Sequence, residues 1–163
     1  MTFQIRDATL NDRTEIIWGA RNVYDIVDAQ GGVQARWESQ LARLTESFDS
    51  ILSGKVPGVA LVVGRPVQAF TLWAVTDPEP HPVLGLYAEA LCTWVTNDLR
   101  QKGVASTLYR TARERLHALG VRSVVALTET TNAAMQRMLA KQGFSTAQLV
   151  YTAPVVQPTE SEE

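Results

Sequence analysis

The sequence predicts one mixed α/β domain, built on a sheet with both antiparallel and parallel strand pairs. Three observations support this fold class. Short apolar segments typical of strands alternate with longer segments that have the three-to-four-residue period of amphipathic helices. Turn residues separate these segments, in the order strand, two helices, three strands, helix, strand, helix, strand. A helix also connects the fourth predicted strand to the fifth, which makes that pair parallel.

The N-terminal half holds one strand, two helices and a hairpin. Asn11 or Asp12 is positioned to cap the first helix, and Gly31-Gly32 separates it from the second. The second helix carries one apolar stripe and stops at Pro57-Gly58. The stripe consists of Trp37, Leu41, Leu44, Phe48 and Ile51. The predicted elements are a strand at 3–6, helices ending near 27 and spanning 33–52, and strands at 59–63 and 67–75.

The C-terminal half starts with a proline-rich loop at 77–85. A strand at 86–96 and an amphipathic helix at 103–119 follow, and Gly120 is suited to cap that helix. Thr130 or Thr131 is positioned to cap a helix that ends near 141. The predicted buried face of the long helix consists of Val104, Leu108, Ala112, Leu116 and Leu119. The remaining predictions are a strand at 123–127, a last strand within 144–156 and a disordered acidic tail at 158–163, so that one domain spans 1–157.

Composition narrows the class of protein. With 163 residues, 45% hydrophobic and 20% charged, the chain is large enough to bury the core of one soluble domain. No apolar run is long enough to span a membrane, and no signal-peptide pattern opens the chain. A single cysteine fits a reducing compartment. We therefore expect a cytoplasmic protein without a membrane partner, and the net charge of −2 gives no indication of nucleic-acid binding.

The segment from Ala88 to Ala105 is the most informative part of the chain. It predicts a strand, a polar turn with two cations and the glycine-marked start of a helix. The first turn of a helix has unpaired N–H groups and a partial positive charge, which favour phosphate or pyrophosphate. Residues 98–141 contain eight basic and three acidic residues, whereas residues 1–60 contain six basic and eight acidic ones. This distribution suits an anionic cofactor at one end and a cationic acceptor at the other.

The turn sequence Arg100-Gln101-Lys102-Gly103-Val104-Ala105 resembles the R/Q-x-x-G-x-G/A acetyl-CoA loop of the GNAT N-acetyltransferases. The resemblance is sharp from Ala88 to Phe144, because the strand, the helix, Asn132 and the Gly143-Phe144 pair also fall where that family has them. It implies the GNAT fold, a mixed, mostly antiparallel splayed sheet of about six to seven strands with about four helices. It also implies that the fourth and fifth strands diverge and that pantetheine lies between them.

The resemblance implies acetyl-CoA as cosubstrate, no metal, and a cofactor site. The site residues are Trp94, Val95, Thr96, Arg100, Gln101, Lys102, Gly103, Val104, Ala105, Ser106 and Asn132. Residues 102–106 are expected to donate backbone hydrogen bonds to the pyrophosphate, and backbone near Val95 to pair with pantetheine. The alternatives are an ordinary turn with solvent-facing cations and, for Asn132, a residue that satisfies the start of its helix.

Transfer to an amine requires a base, because an amine with a pKa near 10.4 is almost fully protonated at pH 7. Glu89 is the best candidate, since it lies where the histone-acetylating relatives have their glutamate base. Strict alternation places it on one face with Leu91, Thr93 and Val95, and burial of its carboxylate is expected to make it more basic. A paired structural role is the alternative for Glu89, and Glu129 is the second candidate.

One position departs from the family pattern. Many GNAT enzymes have a tyrosine four residues before the Gly-Phe pair, where it protonates the leaving thiolate, and Leu139 stands there in this chain. Tyr109, Tyr151 or water are the candidate substitutes. Cys92 is expected to be a small core residue and not a nucleophile.

The acceptor is expected to be a primary amine of a small molecule or peptide. The first two helices and the loop at 77–85 are expected to bind it, and the candidate residues are Asp25, Asp28, Trp37 and Glu38. The leading hypothesis is an acetyl-CoA-dependent N-acetyltransferase. The alternatives are an inactive acyl-CoA-binding module that acts as a sensor or interaction domain, and a protein whose loop binds another diphosphate. A homodimer remains open.

Overall fold

The computed structural model describes residues 3–29, 37–76, 84–128 and 131–146. Within them the predicted order of elements is confirmed as far as the last helix. Short 3₁₀ turns at Leu10–Asp12 and Asn97–Leu99 precede the first helix and follow the fourth strand. The elements are β1 (Ile5–Asp7), α1 (Arg13–Ala29), α2 (Trp37–Leu52), β2 (Gly58–Val63), β3 (Ala69–Val75), β4 (Tyr87–Val95), α3 (Val104–Ala118), β5 (Ser123–Ala126) and α4 (Ala133–Lys141).

Several predictions fall on residues outside the described ranges. They concern the Gly31-Gly32 break, nearly all of the proline-rich loop, the acidic tail and the last strand, of which only residues 144–146 are described and are not in a strand. The side chains of Asp28, Trp37 and Glu38 also lie outside the described residues. These points remain predictions.

The sheet places its described strands in the order β1-β2-β3-β4-β5. The first three neighbouring pairs are antiparallel, and β4 and β5 are parallel, as the helical crossover between them requires. This arrangement confirms the predicted mixed, mostly antiparallel sheet. The described residues form five strands and four flanking helices, fewer strands than the six to seven that the resemblance implied, and the predicted last strand lies mostly outside the described residues.

Each face of the sheet has its own apolar core. The face that α3 and α4 cover, here the α3 face, includes Trp73 and Tyr109. The opposite face, covered by α1 and α2 and here called the α1 face, includes Phe48 and Phe70. Because side chains along β3 alternate strictly between the two cores, β3 is a reference for the orientation of every residue that pairs with it.

The structure corrects the predicted apolar face of α3. Val104, Leu108 and the other two predicted positions within the helix are buried, but Leu119 is 48% exposed. The helix ends one residue earlier, and Gly120 follows with a left-handed φ of +83°. The buried aromatic residue of this helix is Tyr109, which contacts the Trp73 ring edge-on at a centroid distance of 4.9 Å.

Two predicted helix caps are also different. Asn132, and not Thr131, caps α4, because its Oδ1 accepts a hydrogen bond from the Met135 N–H at 3.1 Å. Thr130 lies outside the described residues. At the start of α1, the chain first forms the 3₁₀ turn after Thr9, so Asn11 is not the cap.

Asp12 connects that turn to β1. Its carboxylate accepts two hydrogen bonds from the Arg6 guanidinium, at 2.7 and 2.6 Å. The Thr9 N–H and hydroxyl donate to the same carboxylate at 2.8 and 2.9 Å. The Arg6 hydrogen bonds, reinforced by those of Thr9, hold the pKa of Asp12 well below its ordinary value.

Candidate active site

Within the described residues, the edge of β4 is unpaired along its second half. β4 and β5 pair from Tyr87↔Ser123 to Ala90↔Ala126, where β5 ends, while β4 continues to Val95. In the described part of the chain, no strand pairs with this edge of β4 beyond Ala90. The structure therefore leaves a free strand edge at the point where the fold resemblance implied diverging strands.

At the end of β4, successive backbone groups point alternately toward β3 and toward the free edge. The Thr96 N–H donates to the Gln68 carbonyl at 2.9 Å, so the backbone of Thr96 faces the β3 side of the sheet. Val95 points the other way because successive residues alternate. Its carbonyl accepts a hydrogen bond from Arg100 Nε at 3.0 Å, which connects the following loop to the strand. The cofactor residues predicted at the end of this strand are Trp94, Val95 and Thr96. Val95 is thus the one of them whose backbone faces the free edge.

The loop after β4 leads into the open N-terminus of α3. Gly103 is the N-cap, with φ +83°, and no side chain caps the helix. Gln101 also has a positive φ, of 61°, so the loop curls immediately before the helix. A Cβ on Gly103 would contact nothing within 4 Å, so this side of the loop is free.

This geometry fits an anionic group. Val104, Ala105 and Ser106 form the first turn of the 15-residue α3, whose N–H groups have no partner earlier in the helix. The helix dipole adds partial positive charge, and the exposed side chains of Arg100 and Lys102 add full charges. The residues present therefore suit a diphosphate, although their role in binding one stays a prediction.

A bulge in β4 overturns the predicted orientation of Glu89. Adjacent residues of β3, Leu72 and Trp73, pair with Cys92 and Ala90, which leaves Leu91 as an extra residue. The extra residue shifts the alternation, so Glu89 lies on the α1 face, opposite to Thr93 and Val95. The prediction that these three share a face was wrong.

Neighbours of Glu89 follow from the strand register. It pairs with Ala74 on β3 and with Val125 on β5, and all three belong to the α1 face. Its side chain is half-buried and not fully buried as expected. Among the described residues, no hydrogen-bonding or ion-pairing group contacts the Glu89 carboxylate. The carboxylate is thus available to a ligand, while Glu129 lies outside the described residues.

Asn132 is half-buried, and its side-chain oxygen is used by the start of α4. The side-chain carbonyl oxygen of Asn132 therefore satisfies the start of its own helix, which is one of the two roles expected for this residue. A contact of its side-chain amide nitrogen with the cofactor stays a prediction.

Of the two tyrosines predicted to replace the acid at Leu139, Tyr109 lies in the described part of the chain and is unsuited to the role. Leu139 is 7% exposed within the α3-face core, and Tyr109 is 1% exposed. Burial raises the pKa of Tyr109 to about 12, and the neighbouring Thr93 hydroxyl offsets part of that rise. A phenol with this pKa is a poor proton donor to a thiolate, whose conjugate acid has a pKa near 8.5. Tyr109 is therefore a core residue, and Tyr151 lies outside the described residues.

Cys92 is a core residue as well. Its side chain is buried on the α1 face, and desolvation raises the pKa of the thiol to about 12. Because the thiolate is the nucleophilic form, this environment opposes covalent catalysis. A search of the described residues found no cluster of side chains that could hold a metal ion. In the same residues, no helix is long and apolar enough to cross a membrane.

Sequence reasoning overlooked two exposed apolar residues. Trp18 on α1 is 59% exposed and contacts Trp94 edge-on, at a centroid distance of 5.3 Å. Leu127 directly follows β5 and is 73% exposed. Of the predicted acceptor residues, Asp25 is exposed on α1. No local pattern distinguishes Trp18 or Leu127 from a core position, because their exposure depends on which helix covers which strand.

The sequence model of the acetyltransferase (GNAT) family matches residues 54–144, more than half of the chain. The chain belongs to the GNAT acetyltransferase family. Comparison with curated protein sequences returns no match.

Solved structures of GNAT proteins share the fold. A GCN5-related N-acetyltransferase from Ralstonia eutropha is 16% identical, with a TM-score of 0.72 over 94% of this chain and 99% of that one. A predicted acetyltransferase from Clostridium acetobutylicum, solved with acetyl-CoA, is 13% identical, with a TM-score of 0.71 over 94% and 96%. AAC(6')-Iy, in complex with the bisubstrate analog CoA-S-monomethyl-acetylneamine, is 13% identical, with a TM-score of 0.67 over 96% and 100%.

Proposed function

We propose that the protein is an acetyl-CoA-dependent N-acetyltransferase that moves the acetyl group directly to a primary amine in a ternary complex. One observation carries this proposal. The free edge of β4 begins beside Glu89 and ends at the loop that opens α3, so one continuous site offers a base, a strand edge and an anion-binding helix end.

The donor side of the proposed site has distinct roles for its residues. The N–H groups at the start of α3, with Arg100 and Lys102, bind the diphosphate of acetyl-CoA. The Val95 backbone at the free edge pairs with the amides of the pantetheine chain, as an added strand would. A backbone N–H at the same edge also stabilises the oxyanion that forms when the amine attacks the thioester.

Glu89 supplies the base in this proposal. The acceptor ammonium ion loses a proton to the Glu89 carboxylate, directly or through water, and the neutral amine attacks the thioester carbon. The nitrogen of the tetrahedral intermediate loses its second proton to solvent, the carbon–sulfur bond breaks, and the thiolate leaves and takes a proton from solvent. A thiol pKa near 8.5 makes the thiolate a good enough leaving group without a positioned acid.

A second candidate function is favoured by Leu139. An acyl-CoA-binding sensor or interaction module would keep the loop and the strand edge but need no acid, and Leu139 supplies none. In either case we propose a cytoplasmic protein whose partners are small molecules or peptides and whose cosubstrate or ligand is an acyl-CoA. A homodimer also remains a proposal.

The decisive experiment follows thiol release from acetyl-CoA with a panel of primary amines. Glu89→Gln keeps the size of the side chain but removes the base, so turnover is expected to fall by about 10²–10⁴-fold. Glu114→Gln, on the exposed side of α3, is the matched control and should retain wild-type turnover. CoA affinity, measured by calorimetry, should be the same in all three proteins.

The outcomes separate the two functions. Turnover that survives in Glu89→Gln would reject Glu89 as the base but retain the enzyme. CoA binding without turnover of any amine would favour the sensor module. Absence of CoA binding would reject both functions.

A further inference from the structure

A chain of hydrogen-bonded side chains crosses the core of the α3 face and ends on β4. Trp73 Nε1 donates to Thr71 Oγ1 at 2.9 Å, and Thr71 Oγ1 lies 2.7 Å from Thr93 Oγ1. Trp73 and Thr71 are at most 1% exposed, whereas Thr93 is half-buried. The chain therefore connects the interior of the core with the part of β4 that has no described strand beside it.

The donor at the buried end sets the direction of this chain. An indole N–H can only donate, and each threonine hydroxyl has one proton and two acceptor lone pairs. The buried Thr71 proton needs an acceptor, and Thr93 Oγ1 lies within its reach, so Thr71 donates to Thr93. The neighbouring Tyr109 phenol, whose pKa is raised to about 12, keeps its proton at neutral pH and can donate to the second lone pair. The proton of Thr93 itself is then not used by the chain and can be donated to a ligand.

Thr93 stands between the two ends of the proposed site. It lies four residues after Glu89 and two before Val95, roughly 7 Å from Val95 along the strand. Of the residues from 90 to 94, it is the one with a hydroxyl group. Its hydrogen bond to β3 places it on the α3 face, opposite to Glu89. Leu139, which stands where the family resemblance implies an acid, belongs to the core of the same face.

Acetyl-CoA bound as proposed passes this residue. Its pantetheine chain pairs with Val95 and its thioester reaches the amine at Glu89, so its sulfur lies between these two residues. We propose that the Thr93 hydroxyl donates a hydrogen bond to this sulfur as the carbon–sulfur bond breaks. Thr93 keeps its proton, because an alcohol is a far weaker acid than a thiol, and the thiolate still takes its proton from solvent. This inference rests on the proposed function, which supplies the reaction and the place of acetyl-CoA.

The test measures the pKa of the thiol of bound CoA, from the ultraviolet absorbance of its thiolate across a pH series. Ligand-free protein gives the baseline, which removes the signals of the protein's own tyrosines and cysteine. Thr93→Val replaces the hydroxyl with a methyl group and should raise this pKa by about one unit, because a charge-assisted hydrogen bond to the thiolate is lost. The other ionisable groups of the site are the same in both proteins, namely Glu89, Tyr109, Arg100 and Lys102, so the difference reports the hydroxyl.

Three further variants make the result specific. Thr93→Ser keeps a hydroxyl and should restore the wild-type pKa of the bound thiol. Thr93→Ala also lacks the hydroxyl and should behave like Thr93→Val, which preserves the test if valine impairs folding. Thr45→Val is the matched control, because Thr45 is also half-buried but lies on α2, beyond the opposite face of the sheet, where its hydroxyl donates to the Leu41 carbonyl at 2.8 Å.

The outcomes separate this inference from the proposed function. The same thiol pKa in wild type and Thr93→Val would overturn the inference, and so would a Thr93→Ser protein that behaves like Thr93→Val. If acetyl transfer to an amine accompanies that result, the proposed function stands without the inference. A thiol pKa that depends on the Thr93 hydroxyl, without transfer to any amine, would support the inference and reject the enzymatic function. Absence of CoA binding would reject both.

Discussion

Gly103 and Gly120 form a matched pair that can locate the cofactor site. Both have a φ of +83°, and a Cβ on either would contact nothing within 4 Å. Alanine at either position therefore adds backbone strain without a steric clash, at a cost of about 1 kcal/mol in the free energy of unfolding. For a chain of 163 residues, this corresponds to a loss of about 3 °C in Tm.

CoA affinity should separate the two variants. Gly103 is the N-cap of α3, so Gly103→Ala places a methyl group beside the N–H groups proposed to bind the diphosphate. Loss of one charge-assisted hydrogen bond costs about 1.5–3 kcal/mol, which corresponds to roughly 10- to 100-fold in Kd. Gly120 follows the opposite end of this 15-residue helix, about 22 Å away, so Gly120→Ala should bind CoA as the wild type does.

Two measurements are needed. Urea unfolding reports the common loss of stability, and titration calorimetry reports CoA binding. Equal CoA affinities in the two variants, with equal losses of stability, would refute the assignment of the α3 N-terminus as the diphosphate site.

Three further predictions concern buried polar groups. Asp12→Asn should lower the free energy of unfolding at pH 7 by about 3 kcal/mol, because the Arg6 guanidinium loses its carboxylate partner. The lowered pKa of Asp12 stabilises the fold above its unfolded value near 3.9, and this stabilisation is lost as the pH falls. The difference in the free energy of unfolding between wild type and Asp12→Asn, measured with urea, should therefore be about 1 kcal/mol smaller at pH 3 than at pH 7. An unchanged difference would contradict the pairing of Asp12 with Arg6. Cys92, whose thiol pKa is raised to about 12, should resist alkylation at pH 8 until the protein unfolds, and Cys92→Ala should keep acetyl transfer within about twofold of wild type. Abolished transfer in that variant would indicate a covalent route. Tyr109→Phe should leave the rate and pH profile of thiol release unchanged within about twofold, whereas a large loss would restore Tyr109 as the thiolate acid.

The sequence by itself determined the element order as far as α4 and the turn that we propose binds the diphosphate. Hydrophobic periodicity found α3, and Gly103 marked its start, because one helix end and its preceding turn are encoded by adjacent residues. The parallel pairing of β4 with β5 followed from the helix between them. Local chemistry also identified Cys92 as a core residue.

The tertiary structure decided which side chains meet. The extra residue at Leu91 exists because Leu72 and Trp73 pair with Cys92 and Ala90, and such a register is set by strands about twenty residues apart in the chain. A local count of alternating residues cannot detect it, so the expectation that Glu89 shares a face with Thr93 and Val95 was wrong. The exposure of Leu127 has the same origin, because β5 ends at Ala126 while β4 continues to Val95, and only the packed sheet determines where two strands part.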